Sequence, residues 1–196
     1  MPTFSAALLA GGQSTRMGRD KALLPIPGSG RLLWQHQLAV LCELKPETIF
    51  WSGHPRSGMP AEVRVLPDEI ENAGPLGGIS ACLNELESDL LVVLAVDLAC
   101  MDASYLGKLV QHCTPTRGAV PQKGDDFEPL AAVYPALLLT LADDRLQQGR
   151  YTMQDFVREA LRRELVETVP VGDEDAAKFT NVNSPGDLES LDAYSK

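Results

Sequence analysis

The sequence predicts an α/β fold: a three-layer α/β/α sandwich of Rossmann-like type with a mostly parallel sheet. Apolar runs of strand length alternate with longer segments of helical spacing through the first two thirds of the chain. The runs are apolar throughout, which is typical of strands that are covered on both faces. A chain of 196 residues, 44% of them hydrophobic, is large enough for one domain with its own core.

The elements follow in a regular order, with glycine and proline marking the loops between them. The predicted strands are FSAALLA (4–10), ETIFW (47–51), EVRVLP (62–67), DLLVVLAVD (89–97), RGAVPQ (117–122), EPLAAVYP (128–135) and an edge strand, RELVETVPV (163–171). The predicted helices are 31–44, 74–88, 102–113, about 136–148, 152–163 and 183–194. Asp102 and Ser184 suit helix N-caps, with Pro185 at the first helical position after Ser184.

Charge and cysteine content narrow the class of protein. The formal net charge of −10 argues against nucleic acid as a partner, because that binding needs a basic face. The four cysteines form no C-x-x-C pair, so we expect reduced, buried thiols in a cytoplasmic protein. No segment has the length of a membrane span, and the apolar run at the start is too short for a signal peptide.

The first candidate site is the glycine loop after the first strand. Gly11 and Gly12 let several backbone N–H groups approach one anion, and Arg16, Arg19 and Lys21 add positive charge. This combination suits a polyphosphate. The loop matches neither the Walker A pattern nor G-x-G-x-x-G. The alternative is a plain turn that carries solvated basic residues.

Two aspartates follow other predicted strands. Asp97 ends DLLVVLAVD, where a carboxylate is costly to bury unless it has a partner such as magnesium bound to a triphosphate. A helix cap or a hydrogen bond to a neighbouring loop would also explain Asp97. Asp68 follows EVRVLP in a loop, where a turn-forming role is the alternative to ligand binding.

Two further patterns allow both a binding and a structural interpretation. Gly77 and Gly78 open a predicted helix, which would leave N–H groups for a ligand or permit close packing of the helix on the sheet. Asn181 and Asn183 point to the same side of an extended segment and could contact a heteroaromatic ring, although capping of the next helix is an alternative.

LAGGQSTRMGRDK resembles the signature loop of the molybdenum cofactor guanylyltransferase family, within the nucleotidyltransferases. The resemblance implies that Lys21 binds phosphate. It also implies that Leu9, Ala10, Gly11 and Gly12 lie against the nucleotide. Relatives that use CTP tend to have L-A-A-G in this segment, so Gly11 favours a purine. By the same resemblance, Arg16, Lys21 and Asp97 are catalytic, Asp97 being the Mg²⁺ ligand, and Asp68 and Gly78 join the nucleotide-binding set.

The second half of the chain resembles the acceptor side of the same family. KFTNVNSPGDLESL is similar to the family pattern F-x-N-V-N-T-P-x-D-L, in which the asparagines lie near the pterin. The resemblance therefore implies an acceptor-binding set of Arg19, Glu128, Asn181 and Asn183. It also implies one nucleotidyltransferase domain over 1–196, with a nucleotide-binding part at roughly 1–112 and an acceptor-binding part at roughly 113–196.

The implied reaction transfers GMP from GTP to the phosphate of molybdopterin and releases pyrophosphate, with Mg²⁺ as the cofactor. Proteins that deliver the cofactor, and molybdoenzymes that receive it, are implied partners. Two departures from the family are visible: Ala99 stands where a proline is frequent, and Ser52 and His54 stand where some relatives have asparagines. The alternatives are a cytidylyltransferase or sugar-1-phosphate nucleotidyltransferase, and a module that binds GTP without turnover.

Overall fold

A central sheet carries the strands of the protein. The computed structural model describes residues 2–11, 20–26, 29–67, 70, 73–182 and 186–187. The strands are β1 (Phe4–Leu9), β2 (Ile49–Ser52), β3 (Val63–Leu66), β4 (Leu90–Ala95), β5 (Gly118–Lys123), β6 (Asp126–Phe127), β7 (Ala131–Pro135) and β8 (Val166–Pro170). The long apolar runs predicted as strands thus all lie in this sheet.

The strand order explains where a ligand can bind. The order is β3-β2-β1-β4-β7-β5-β6, and β8 pairs with β5. β1 lies parallel to β2 on one side and parallel to β4 on the other. The chain therefore builds outward from β1 in one direction and then returns to place β4 on the opposite side of β1. Such a reversal opens a crevice at the carboxyl ends of the two strands.

Helices cover both faces of the sheet. They are α1 (Leu33–Glu43), α2 (Pro75–Asn84), α3 (Ala103–His112), α4 (Leu139–Gln147) and α5 (Met153–Arg162). Ala6 and Leu8 of β1 pack with α1 and α3, whereas Ala7 and Leu9 pack with α2, α4 and α5. Successive side chains of a strand point to opposite faces, so a strand apolar at every position supplies both cores. The predicted three-layer α/β/α sandwich is confirmed.

β7 is the antiparallel member of an otherwise mostly parallel sheet, since it pairs antiparallel with both β4 and β5. Only seven residues, 124–130, join β5 to β7. A parallel connection needs a crossover of a dozen or more residues, so the reversal of direction follows from this short link. The two-residue strand β6 lies within that link and pairs antiparallel with the end of β5.

Some smaller predictions have mixed outcomes. Cys82 and Cys113 are buried as expected, but the expectation is wrong for Cys42, which is exposed, and Cys100 is half-buried. Cys42 lies near the end of α1, beyond the residues that face the core. Of the predicted terminal helix only 186–187 lie within the described residues, where they are helical. In the described part of the chain, no helix has the length and apolar character needed to cross a membrane.

Candidate active site

The loops that follow β1 and β4 begin side by side at the crevice between these strands. Leu9 is in register with Ala95, and the Val96 amide donates to the Leu9 carbonyl at 3.0 Å. On the other side of β1, the Ala10 amide donates to the Ser52 carbonyl at 3.0 Å. Three strand ends therefore meet at one edge, and those of β1 and β4 are followed by residues that the sequence predicts to bind a ligand.

Lys21 and Asp97 face each other across this crevice. The Lys21 Nζ lies 3.6 Å from the Asp97 Oδ2, and about a quarter of each side chain is exposed. An ion pair with that exposure contributes about 0–1 kcal/mol to folding. The ion pair can therefore separate when a ligand with phosphate and metal binds, at little cost in the free energy of folding. The structure thus brings together two of the three residues predicted to be catalytic.

An ion pair between Asp20 and Arg56, which was not predicted from the sequence, restrains the segment next to Lys21. Asp20 caps the 3₁₀ turn Lys21–Leu23 by accepting the Ala22 amide at 3.0 Å through Oδ1. Its second carboxylate oxygen pairs with Arg56, which lies in the loop after β2. The turn that carries Lys21 is therefore tied to the neighbouring strand end.

The backbones after β1 and β2 approach each other at Gly53. A Cβ on Gly53 would lie 2.9 Å from the Gly11 nitrogen and 3.1 Å from its Cα, and the Gly53 φ angle is +125°. No side chain fits at Gly53 unless the backbone of the exposed Gly11 moves. Gly53 thus permits the close approach of the two strand ends, a requirement that its sequence position alone did not reveal.

We expect Gly53→Ala to lower the free energy of unfolding by about 2–3 kcal/mol and GTP affinity about tenfold, because both the backbone conformation and the contact with Gly11 are lost. Gly58→Ala is the matched control. Gly58 also has a positive φ, of +81°, but nothing lies within 4 Å of a Cβ built there. Urea unfolding and calorimetric titration with GTP would measure both effects. Equal losses of affinity in the two variants would contradict a specific role for Gly53.

Gly78 packs tightly on the sheet. It is buried in α2, and a Cβ there would lie 2.2 Å from the Ser52 Oγ and 3.5 Å from the Leu9 Cδ2. The close packing of helix on sheet, which was one of the two interpretations of this glycine, accounts for its small side chain. Its assignment to nucleotide binding stays a prediction.

The asparagine stretch near the end of the chain reaches the loop that carries Asp97. The Val182 amide donates to the Asp97 carbonyl at 2.8 Å, and the Val182 side chain is fully buried. Asn181, the residue before it, is exposed. The structure thus brings the backbone next to Asn181 into contact with that of Asp97, the predicted metal ligand, although Asn181 and Asp97 are 84 positions apart in the sequence.

Glu128 lies on the short link before β7. Leu130, two residues later, accepts the Ala95 amide at 2.8 Å, so this link runs beside the end of β4. Burial raises the pKa of the Glu128 carboxyl, Lys123 opposes that rise, and Asp126 adds to it. The link that carries Glu128 thus lies beside the end of β4, and the assignment of Glu128 to acceptor binding stays a prediction.

Tyr105, on α3, is a buried residue near Glu128. Burial, together with the negative charges of Asp175 and Glu128, raises the pKa of Tyr105 to about 12. The ring packs edge-on against Phe179 at 5.3 Å between centroids. Asp102 caps α3, as predicted, by accepting the Tyr105 amide at 2.7 Å, and it also pairs with Lys178.

Five of the predicted site residues fall outside the part of the chain that the structure describes: Gly12, Arg16, Arg19, Asp68 and Asn183. Their roles stay predictions from the sequence.

The donor set around Asp97 fits a magnesium ion that is shared with a substrate. The described ranges contain no group of three or more His, Cys, Asp or Glu side chains that could enclose a metal alone. Mg²⁺ is typically bound by one or two carboxylates and by substrate phosphates rather than by a protein cage. One accessible carboxylate opposite a lysine is therefore consistent with that mode of binding.

Three comparisons with known proteins point to one family. The model of the MobA-like NTP transferase domain matches residues 6–167. A protein of Opitutus terrae named "Probable molybdenum cofactor guanylyltransferase" is 38% identical over 191 residues, which cover 95% of this chain and 93% of the relative. A "Molybdenum cofactor guanylyltransferase" of Syntrophotalea carbinolica is 32% identical over 157 residues, or 79% of this chain and 73% of the relative.

A solved structure has the same fold. Molybdopterin-guanine dinucleotide biosynthesis protein A from Archaeoglobus fulgidus superposes with a TM-score of 0.73 at 22% identity, and the match covers 97% of each chain. The arrangement of sheet and helices is therefore shared over nearly the whole length.

Proposed function

Because the chain belongs to the MobA-like NTP transferase domain family, we propose that it transfers GMP from GTP to the phosphate of molybdopterin and releases pyrophosphate. The observation that carries the proposal is the pair of Lys21 and Asp97 at the carboxyl ends of parallel strands, 3.6 Å apart. A cation and a carboxylate that face the same crevice, both accessible, can separate to take a triphosphate with its metal between them.

The reaction needs stabilisation of charge more than proton transfer. A phosphate oxygen of molybdopterin attacks the α-phosphorus of GTP, and the bond from that phosphorus to the bridging oxygen of pyrophosphate breaks. The attacking oxygen is already an anion, so no strong general base is needed. Lys21, Arg16 and the backbone amides at Gly11 and Gly12 reduce the repulsion between the anions and stabilise the charge that grows on pyrophosphate.

Asp97 is the residue proposed to hold Mg²⁺. The bound ion supplies a Lewis acid for the phosphate oxygens. The fixed position of the Asp97 backbone, bonded to Val182, keeps the carboxylate at the crevice. In-line placement of acceptor and triphosphate provides the remaining acceleration.

We propose that nucleotide binding belongs to roughly 1–112 and acceptor binding to roughly 113–196. The proposed nucleotide set consists of Leu9, Ala10, Gly11, Gly12, Lys21, Asp68, Gly78 and Asp97. Arg19, Glu128, Asn181 and Asn183 form the proposed acceptor set, and the bond between Val182 and Asp97 supports a location of Asn181 beside the reacting groups.

The proposed substrates indicate where in the cell the reaction would take place. GTP and molybdopterin would be used in the cytoplasm, where thiols such as the exposed Cys42 stay reduced. Proteins that supply molybdopterin and molybdoenzymes that take up the product are the proposed partners.

Pyrophosphate release in the presence of GTP, Mg²⁺ and molybdopterin tests the proposal. We expect release that requires all three, and CTP in place of GTP should give less than about a tenth of the rate, since guanine contacts are worth about 1.4 kcal/mol or more. Equal rates with CTP would favour the cytidylyltransferase alternative.

The same protein distinguishes an enzyme from a GTP-binding module. GTP at about 100 times its Kd should stabilise the fold by about 2.7 kcal/mol in either case. Stabilisation by GTP without any pyrophosphate release would contradict the proposed enzyme and favour the binding module.

A further inference from the structure

The segment that carries Asp97 is held from helix α1. This segment, residues 96–101, is called the Asp97 loop below. The Gln37 Nε2 donates to the Leu98 carbonyl, one residue after Asp97. A side chain of α1 thus holds the residue directly after Asp97.

Gln37 lies where packing alone would favour an apolar side chain. It is fully buried, four residues after Leu33 and four before Leu41, and both of these leucines are also fully buried. Positions four apart lie on the same face of a helix, so Gln37 interrupts an apolar stripe.

The side chain of Gln37 is only half satisfied. Its Oε1 has no hydrogen-bond partner within the described portion of the structure. Burial of an unpaired acceptor is unfavourable. Core packing therefore does not account for an amide at this position, whereas its bond to the Asp97 loop does.

We infer that Gln37 is a positioning residue that holds the Asp97 loop so that the Asp97 carboxylate stays at the crevice, on the side opposite Lys21, where it would meet the metal and triphosphate. The inference rests on the proposed function of that carboxylate. Gln37 itself does not touch the substrate in this account. It acts through the Leu98 carbonyl and so restrains the residue directly after the proposed metal ligand.

The loop geometry offers a second way to restrain the same segment. The Met101 amide donates to the Leu98 carbonyl at 3.0 Å, which closes a turn with Ala99 at its second position. Proline is favoured at that position because its ring fixes φ in advance. An Ala99→Pro substitution should therefore stiffen the loop independently of Gln37.

The test compares Gln37→Met, which keeps the side-chain length, with Gln35→Met on the same helix. The Gln35 Oε1 accepts the Leu32 amide at 2.9 Å and so caps the helix without touching the loop. We expect Gln37→Met to melt within about 2 °C of the wild-type protein without ligands, because a buried unpaired acceptor is removed along with one hydrogen bond.

Two measurements report on the loop. Hydrogen exchange of the peptide that covers 96–101 should be about fivefold faster in Gln37→Met, since local opening becomes easier. The Mg²⁺ concentration for half-maximal pyrophosphate release should rise about fivefold, with the KM for GTP at saturating Mg²⁺ unchanged within about twofold. Gln35→Met should change neither quantity, and Ala99→Pro in the Gln37→Met protein should recover at least half of both losses.

Three results would overturn the inference: unchanged loop exchange and Mg²⁺ dependence in Gln37→Met, a large fall in its melting temperature with faster exchange throughout the chain, or no recovery with Ala99→Pro. Asp97→Asn separates this failure from failure of the proposed function. If Asp97→Asn is inactive while Gln37→Met behaves as wild type, only the positioning role is wrong. If Asp97→Asn is as active as wild type, the metal assignment on which the positioning role depends is wrong.

Discussion

Replacement of Asp97 by alanine is expected to lower kcat by about 10³-fold while the protein still folds. The carboxylate is the proposed ligand of the metal that neutralises the triphosphate, and it lies just after the end of β4. Its ion pair with Lys21 is partly exposed, so the loss to folding should be at most about 1 kcal/mol. Pyrophosphate release and thermal unfolding would measure the two effects.

Asp102, five residues later, supplies the matched control. Its carboxylate caps α3 and pairs with Lys178, so Asp102→Ala should lose about 1 kcal/mol of stability and keep most of its activity. The two substitutions should thus give opposite patterns, one of lost activity and one of lost stability. An Asp97→Ala protein with turnover within threefold of the wild type would refute the metal assignment.

Replacement of Lys21 by methionine is expected to lower kcat/KM for GTP by about 10²–10³-fold. The ammonium group of Lys21 faces Asp97 across the crevice. Methionine keeps the apolar stem of the lysine side chain and removes the charge. Lys21→Arg should recover part of the loss, because the charge returns but a planar guanidinium replaces a compact ammonium.

Lys108→Met controls for the change of net charge, since Lys108 is exposed on α3. Steady-state kinetics would compare the three variants at one ionic strength, because the effect of an exposed charge depends on the salt concentration. We expect Lys108→Met to match the wild-type protein within about twofold. If Lys21→Met did the same, Lys21 would not be part of the phosphate site.

Much of the fold could be predicted because its signals are local. The runs in β1 and β4 are apolar at every position, which predicted burial on both faces, and Asp102 lies at the expected cap of α3. The direction of β7 could have been predicted from the seven-residue link, 124–130, but apolarity alone does not report direction. β6 is two residues long and carries no periodic signal.

Only the part of the site that follows from the parallel order of the strands could be predicted from the sequence. Lys21 and Asp97 could be expected near one edge because each follows a buried strand. The bond from Gln37 to Leu98 spans 61 residues and depends on how α1 packs over that edge, which no local pattern encodes. The same holds for the pair of Asp20 and Arg56. At Gly78 the sequence allowed either ligand binding or close packing, and the close approach of Ser52 explains why a glycine is needed there.

The most direct test of the central claim is a crystal structure with GTP and Mn²⁺ in place of Mg²⁺, read from the anomalous signal of manganese. We expect one manganese peak at coordination distance from the Asp97 carboxylate, with the triphosphate lying between that ion and the Lys21 ammonium. A manganese and triphosphate bound away from the carboxyl ends of β1 and β4 would contradict it.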